Sequence, residues 1–294
     1  MPINPTTGLH EEHHEYYRIP LVHQRNVNAL RLNGQRKAVH TVPLGNGMTL
    51  DFYSSFAAED ELLVLFHGAN SERSHFYPRF ERVQSIKTKT DAFMSFADPS
   101  MRIGVQEDML LSWYLGGPDF DPMDPIFKVI RRALGRTGSK HVAFIGGSGG
   151  GFAALRASAM WSGSLAYIQD PQTVLANYIP RVVAKYFNVM WPGWSGPSLL
   201  NAFPERFDMV RHYRNRMPQN FVYYAQNSSD TTHVDGHYRP FAEAHGMGAK
   251  RGLNPTGNRY FALFDGEVSG HGKITASEFD HHFNEAMAFW RSNR

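Results

Sequence analysis

The chain contains no cysteine in 294 residues. That excludes a disulfide framework, a cysteine nucleophile and a thiolate metal site, and it fits a reducing compartment. Charge of one sign is also scarce. Thirty Lys and Arg face 27 Asp and Glu, for a formal net charge of +3. Arg131-Arg132 is the densest basic spot. It reads as a solvated helix face rather than a nucleic-acid surface. No apolar run approaches the roughly 20 residues of a membrane span. The start, MPINPTTGLHEEHHEYY, has no basic segment followed by an apolar one, so no secretory signal is expected. A soluble, cytoplasmic protein without nucleic-acid or membrane partners is the expectation. No fixed-period repeat or low-complexity linker breaks the chain.

What is present describes a globular protein: 42 % hydrophobic and 19 % charged residues, long enough to bury a core without a staple. Residues 1–37 are polar and rich in His, Asn and Arg, and are expected to form an arm. AVHTVPL and MTLDFYSSF flank Gly45-Asn46-Gly47, a turn signal that predicts a β-hairpin and an antiparallel edge. ELLVLFHGA and AFMSFADPS are continuous apolar runs, the pattern of strands buried on both faces. MDPIFKVIRRALGRTG has helical spacing and a glycine stop. KHVAFIGGSGGGFAALRASAM runs strand, glycine turn, helix. SLAYIQDP, NFVYYAQNSSD and NRYFALFDGE predict three further strands, and SEFDHHFNEAMAFWRS a closing amphipathic helix with Phe279, Phe283, Met287 and Trp290 near one face. This alternation predicts an α/β fold with a mainly parallel, doubly wound sheet and helices on both faces. Residues 171–219, aromatic and proline-rich, are too long for a simple crossover and suggest a cap or lid insertion into the domain 38–294.

Gly146-Gly147-Ser148-Gly149-Gly150 satisfies G-x-S-x-G in the right context, with VAFI before it and a good helix former after it. A serine on such a turn presents Oγ above the sheet, at a helix N-terminus that favours developing negative charge. The alternative, a phosphate-cradling loop, lacks G-x-x-x-x-G-K-[ST]. Serine needs a base. His271, between Gly270 and Gly272 after the last strand, is selected among 15 histidines by its position. The acid that orients it is expected after NFVYYAQ, where Asp230 is preferred over Asp235; Asp170, after the preceding strand, is a third candidate. The order Ser148, Asp230, His271 suits this architecture. Gly149 and Ala69 are the candidate oxyanion donors and Asn70 a substrate contact, while His67 is expected only to pin its loop.

On HGA after one strand, GGSGG at the turn and GHG before the last helix, the chain resembles the α/β-hydrolase superfamily from about residue 38 to the end. The resemblance implies a sheet of about eight strands and hydrolytic or acyl-transfer chemistry. It departs from the family pattern in the glycines at both variable positions of the turn and in the N-terminal arm. The expected activity is cleavage of a small-molecule carboxylic ester through an acyl-enzyme, with Trp191, Trp194 and Tyr178 suggesting an apolar or ring-bearing group. Acyl transfer and amide or peptide cleavage use the same residues, and a non-catalytic binding module remains the alternative outside catalysis. No cofactor is expected. His233 and His237, with Asp230 and Asp235, could form a divalent metal site, but no third element supplies a ligand, so no metal is expected.

Overall fold

The computed structural model describes residues 2–45, 47–70, 76–248, 250–272 and 274–294. The chain divides into two compact units, Met1–Val142 and Ala143–Arg294.

The first unit carries strands β1 (His10–His14), β2 (Ile19–His23), β3 (Lys37–Pro43), β4 (Thr49–Phe56), β5 (Glu61–Phe66) and β6 (Ala92–Phe96), in the order β1-β2-β3-β4-β6-β5. Its helices are α1 (Val83–Ile86), α2 (Met101–Gly104) and α3 (Met123–Thr137). β3 and β4 form the expected antiparallel hairpin, in register from Lys37↔Ser55 to Pro43↔Thr49; Asn46 of its turn lies outside the described residues. The hairpin is not the edge of the sheet. β2 from the arm pairs with β3 in parallel, and β1 pairs with β2 outside it. All of β6, and all of β5 but Glu61, is buried, as continuous apolar runs require. α3 buries Ile126, Val129, Ile130 and Ala133 on one face, and Gly138, at φ 76°, ends it by donating to the Leu134 carbonyl.

The second unit carries all but the first two residues of β7 (His141–Gly147), with β8 (Leu165–Gln169), β9 (Phe221–Asn227), β10 (Gly252–Leu253) and β11 (Arg259–Phe264), in the order β7-β8-β9-β11-β10. The pairs from β7 to β11 are parallel, and the two-residue β10 adds an antiparallel edge. Its helices are α4 (Gly149–Ala159), α5 (Pro180–Met190), α6 (Gly196–Ala202), α7 (Pro204–Phe207), α8 (Met209–Arg216), α9 (Thr231–His233), α10 (Arg239–Ala244) and α11 (Ala276–Asn293). α11 opens on a capping box between Thr275 and Glu278 and buries Phe279, Phe283, Met287 and Trp290. Among the described residues the strands therefore number eleven, not about eight, and antiparallel pairs are more frequent than expected. The surplus comes from β1 and β2 of the arm and from β10. Among the described residues no helix is long and apolar enough to cross a membrane.

A buried imidazole makes the first unit sensitive to acid. His40 is 2 % exposed. Its Nδ1 accepts from Gln24 Nε2 and its Nε2 donates to Ser54 Oγ, each at 3.1 Å, and the Ser54 hydroxyl donates to the Ala38 carbonyl. This geometry fits the neutral ring, and burial holds its pKa down to about 3. The folded state then binds fewer protons than the unfolded chain between pH 6.5 and 3. The stability contributed above pH 6.5 is lost as pH falls through that window. His40→Gln should reduce the slope of unfolding free energy against pH, from urea melts between pH 7 and 5, by up to about 1.4 kcal/mol per pH unit. An unchanged slope would contradict this placement.

Candidate active site

Ser148 sits between β7 and α4 with φ 53° and ψ −123°, a conformation that costs a non-glycine residue of the order of 1–3 kcal/mol. The turn is held from several sides. Ser148 N–H donates to the Gln169 carbonyl at 2.9 Å, and the Ser148 carbonyl accepts from Gly151 and Gln172. It is also closed by glycine. A Cβ on Gly146 would stand 2.1 Å from the Gly150 carbonyl oxygen, whereas one on Gly147 would meet nothing closer than 3.6 Å. Gly146 is therefore a steric requirement of the turn, and Gly147 is not.

Ser148 Oγ lies 2.9 Å from His271 Nε2, and His271 Nδ1 lies 2.8 Å from Asp230 Oδ2. His271 is carried on a loop between β11 and α11, flanked by Gly270 at φ 96° and Gly272 at φ 66°. Both flanks are tied down. Gly270 N–H donates to Ser229 Oγ at 3.1 Å, and Gly272 N–H donates to the Asp170 carboxylate. Asn227, at the end of β9, donates through Nδ2 to the Val268 carbonyl and accepts from Gly266 N–H, fixing the start of the same loop.

The three candidate carboxylates separate clearly. Asp230 is 6 % exposed, caps α9 and faces His271. Asp235 is exposed and pairs with Arg239 at 2.9 Å. Asp170, 3 % exposed with φ 41°, accepts from Asn227 N–H at 2.7 Å and Gln226 Nε2 at 2.9 Å, so it braces the loop that holds His271. Burial pushes the Asp170 carboxyl up to about 6, against the backbone N–H bonds that it accepts. Burial also acts upward on Asp230, but the hydrogen bonds from His233 and His271 outweigh it and hold that carboxyl well below the usual carboxylate range.

Two residues at this centre escape the sequence reading. His233 had suggested only a metal ligand. Its ring stacks on His271 at 3.8 Å between centroids with 13° between planes, and its Nδ1 lies 3.1 Å from Asp230 Oδ1. Burial lowers the pKa of His233, with Asp230 acting the other way. Gln172, inside the segment taken for a lid, places Nε2 3.0 Å from Ser148 Oγ and 2.9 Å from His233 Nε2. A usable signal existed for Gln172: it follows a parallel strand at its carboxyl end, where such sheets place their sites. His237 is buried, with Nδ1 accepting from Thr173 N–H at 3.3 Å, and burial lowers its pKa to about 3. Asp230, His233 and His271 bring ligand atoms within 4.8 Å of one another. A metal there would have to strip the Nδ1 protons from both imidazoles.

Ala69 and Asn70 follow β5 in the first unit. Asn70 spends its backbone N–H on the Leu110 carbonyl and its Nδ2 on the Phe76 carbonyl. Its buried Oδ1 has no partner among the described residues, so the atom it can offer is an acceptor. His67 pins the loop as expected: Nδ1 donates to the Gly68 carbonyl and Nε2 accepts from Asp98 N–H. Trp191, 1 % exposed, donates to the Tyr186 hydroxyl at 2.9 Å and packs with Trp194, Phe203 and Phe207 in an aromatic cluster of the 171–219 segment. Trp194 is 40 % exposed.

No family model and no curated protein matches the chain. Solved structures do, at low identity. The capsule O-acetyltransferase of Neisseria meningitidis serogroup A aligns at 14 % identity and TM-score 0.54, over 90 % of this chain and 94 % of that one. Carboxyl esterase 2 of the mycorrhizal fungus Tuber melanosporum aligns at 12 % and 0.55, over 92 % and 90 %. MPT51 of Mycobacterium tuberculosis aligns at 13 % and 0.51, over 84 % and 94 %. At these identities the likeness establishes the fold, which is that of the α/β hydrolases.

Closure of the turn by Gly146 can be tested directly. Gly146→Ala should cost about 3 kcal/mol or more in urea or thermal unfolding, as overpacking against backbone does. Gly147→Ala should stay within about 1 kcal/mol of the parent. Equal effects of the two would mean that the turn is not closed as described.

Proposed function

We propose that the chain is a serine hydrolase that cleaves a small carboxylic ester through an acyl-enzyme. The observation that carries this reading is the line from Ser148 Oγ through the His271 ring to Asp230 Oδ2, with hydrogen-bond distances of 2.9 and 2.8 Å. Ser148 attacks the ester carbonyl as His271 Nε2 takes its proton. The Oγ–carbon bond forms, the alcohol leaves, and His271 returns the proton to it. Water then repeats the sequence, and the C–Oγ bond breaks to release the acid. Asp230 holds His271 in the tautomer that leaves Nε2 free to accept, and stabilises the imidazolium. The Gly149 N–H, at the start of α4, is a donor to the oxyanion.

Esterase and O-acetyltransferase names among structures of this fold agree with the reading, and the second keeps an alcohol as acyl acceptor in view. Segment 171–219 serves as a lid in this account, and exposed Trp194, rather than buried Trp191, is the member of that pair that a substrate can meet. A cytoplasmic setting without metal completes the proposal.

Turnover of p-nitrophenyl acetate tests it. Ser148→Ala should lower kcat by roughly 10⁴ to 10⁶ with the fold intact. Asp230→Asn should lose about 10⁴, while Asp235→Asn should lose at most about tenfold. Near-normal turnover in folded Ser148→Ala, or loss on chelation with recovery on zinc, would defeat the serine mechanism.

A further inference from the structure

Among the described residues Ser148 Oγ has two polar neighbours, and the second is not part of the Ser-His-Asp line. Gln172 Nε2 stands 3.0 Å from Ser148 Oγ and 2.9 Å from His233 Nε2, and His233 Nδ1 returns to Asp230 at 3.1 Å. A second chain of hydrogen bonds thus runs from the same carboxylate to the same hydroxyl, through His233 and Gln172 in place of His271.

The donors and acceptors along it can be assigned by elimination. Asp230 is held ionised and only accepts, so both imidazoles present Nδ1–H to it. That leaves the Nε2 lone pair of His271 for the Ser148 proton, and the Nε2 lone pair of His233 pointing at Gln172. Ser148 Oγ, having given its hydrogen to His271, also turns a lone pair to Gln172. Both neighbours of the Gln172 side-chain atom are acceptors, so that atom is the amide nitrogen with one hydrogen for each. The orientation follows from the chemistry of the neighbours rather than from a choice between N and O. The stack reinforces it. At 3.8 Å two imidazolium rings would repel, so His233 stays neutral while His271 carries the proton during reaction.

We propose that Gln172 is a further catalytic residue, donating to Ser148 Oγ whenever that oxygen carries charge, and that His233 is a positioning residue acting through it. The inference rests on the esterase reading. In acylation, His271 takes the Ser148 proton and Oγ gains negative charge as its bond to the carbonyl carbon forms; the Gln172 hydrogen bond strengthens at that moment. Once the charge has passed to the carbonyl oxygen, Oγ is an ester oxygen and the bond weakens. In deacylation the C–Oγ bond breaks, Oγ leaves with the electron pair, and Gln172 stabilises it until His271 returns the proton. An oxyanion donor serves the carbonyl oxygen. Gln172 serves the nucleophile, once as it attacks and once as it leaves. Because the bond exists before reaction, only its strengthening counts.

The test uses pre-steady-state hydrolysis of p-nitrophenyl acetate by the full chain, separating the burst from steady turnover. Gln172→Met keeps the shape and removes the donor. It should slow acylation and deacylation by about 10- to 100-fold each, below the roughly 10² to 10³ of an oxyanion donor, with little change in KM. Gln172→Glu, equally isosteric, sets a carboxylate against Oγ and should lose more. His233→Phe keeps the stack but not the polar atoms. It should lose less than Gln172→Met, and the two losses should combine to less than their sum in the double variant, because they share one hydrogen bond, although His233→Phe also takes a donor from Asp230. Wild-type rates in Gln172→Met or Gln172→Glu would overturn the role of Gln172, and additive losses would overturn the route through it. Loss in one step only would also overturn it. Turnover that survives Ser148→Ala would instead remove the esterase reading beneath it, a distinguishable failure.

Discussion

One buried carboxylate organises the second unit's chemistry. Asp230 accepts from His271 and from His233, and caps the short helix that carries His233 by accepting its backbone N–H as well. The cost of burying a charge at this position is offset by those donors, which is why the group stays ionised where burial alone would protonate it. The donor and acceptor roles at the site follow from that charge. It sets the tautomer of both rings, the tautomers decide which lone pairs face Ser148 and Gln172, and those lone pairs decide where the serine proton points.

The carboxylate works because backbone holds its partners still. Ser148 is fixed in a strained turn that Gly146 closes, and its carbonyl is held by the N–H groups of Gly151 and Gln172. The His271 loop is anchored through Asp170, Ser229 and Asn227, three residues at the carboxyl ends of β8 and β9. Parallel strands bring those ends to one edge, so residues distant in sequence converge there without long side chains.

Much of this was legible from sequence, for identifiable reasons. β5, β6 and β8 are nearly uniformly apolar because both faces are buried, and the turn at Ser148 carries Gly146, which its geometry requires. Distance from the end of β9 favours Asp230 over Asp235, and the structure sets Asp230 against His271 and Asp235 against Arg239. Other features left no pattern. β1 is HEEHH, charged and largely exposed, so an outer strand looks like a polar arm. β2 contains Pro20, which argues against a strand unless it sits near a sheet margin. β10 has two residues, too few for any periodicity. Gln172 and His233 carry no motif, since their roles follow from which lone pairs remain after Asp230 and His271 have been satisfied. Spacing alone sets His233 and His237 four residues apart and does not show that His233 turns onto Asp230 while His237 is buried against Thr173.

The proposed chemistry requires a nucleophilic Ser148 and an Asp230–His271 pair that makes it so. Intact-mass analysis after reaction with a fluorophosphonate measures this without knowledge of the substrate. One phosphonyl adduct per chain, mapped by peptide sequencing to Ser148 and slowed by orders of magnitude in His271→Ala, is the expected result. A folded protein that remains unlabelled, or labelling at Ser148 that proceeds at the same rate without His271, would contradict the account.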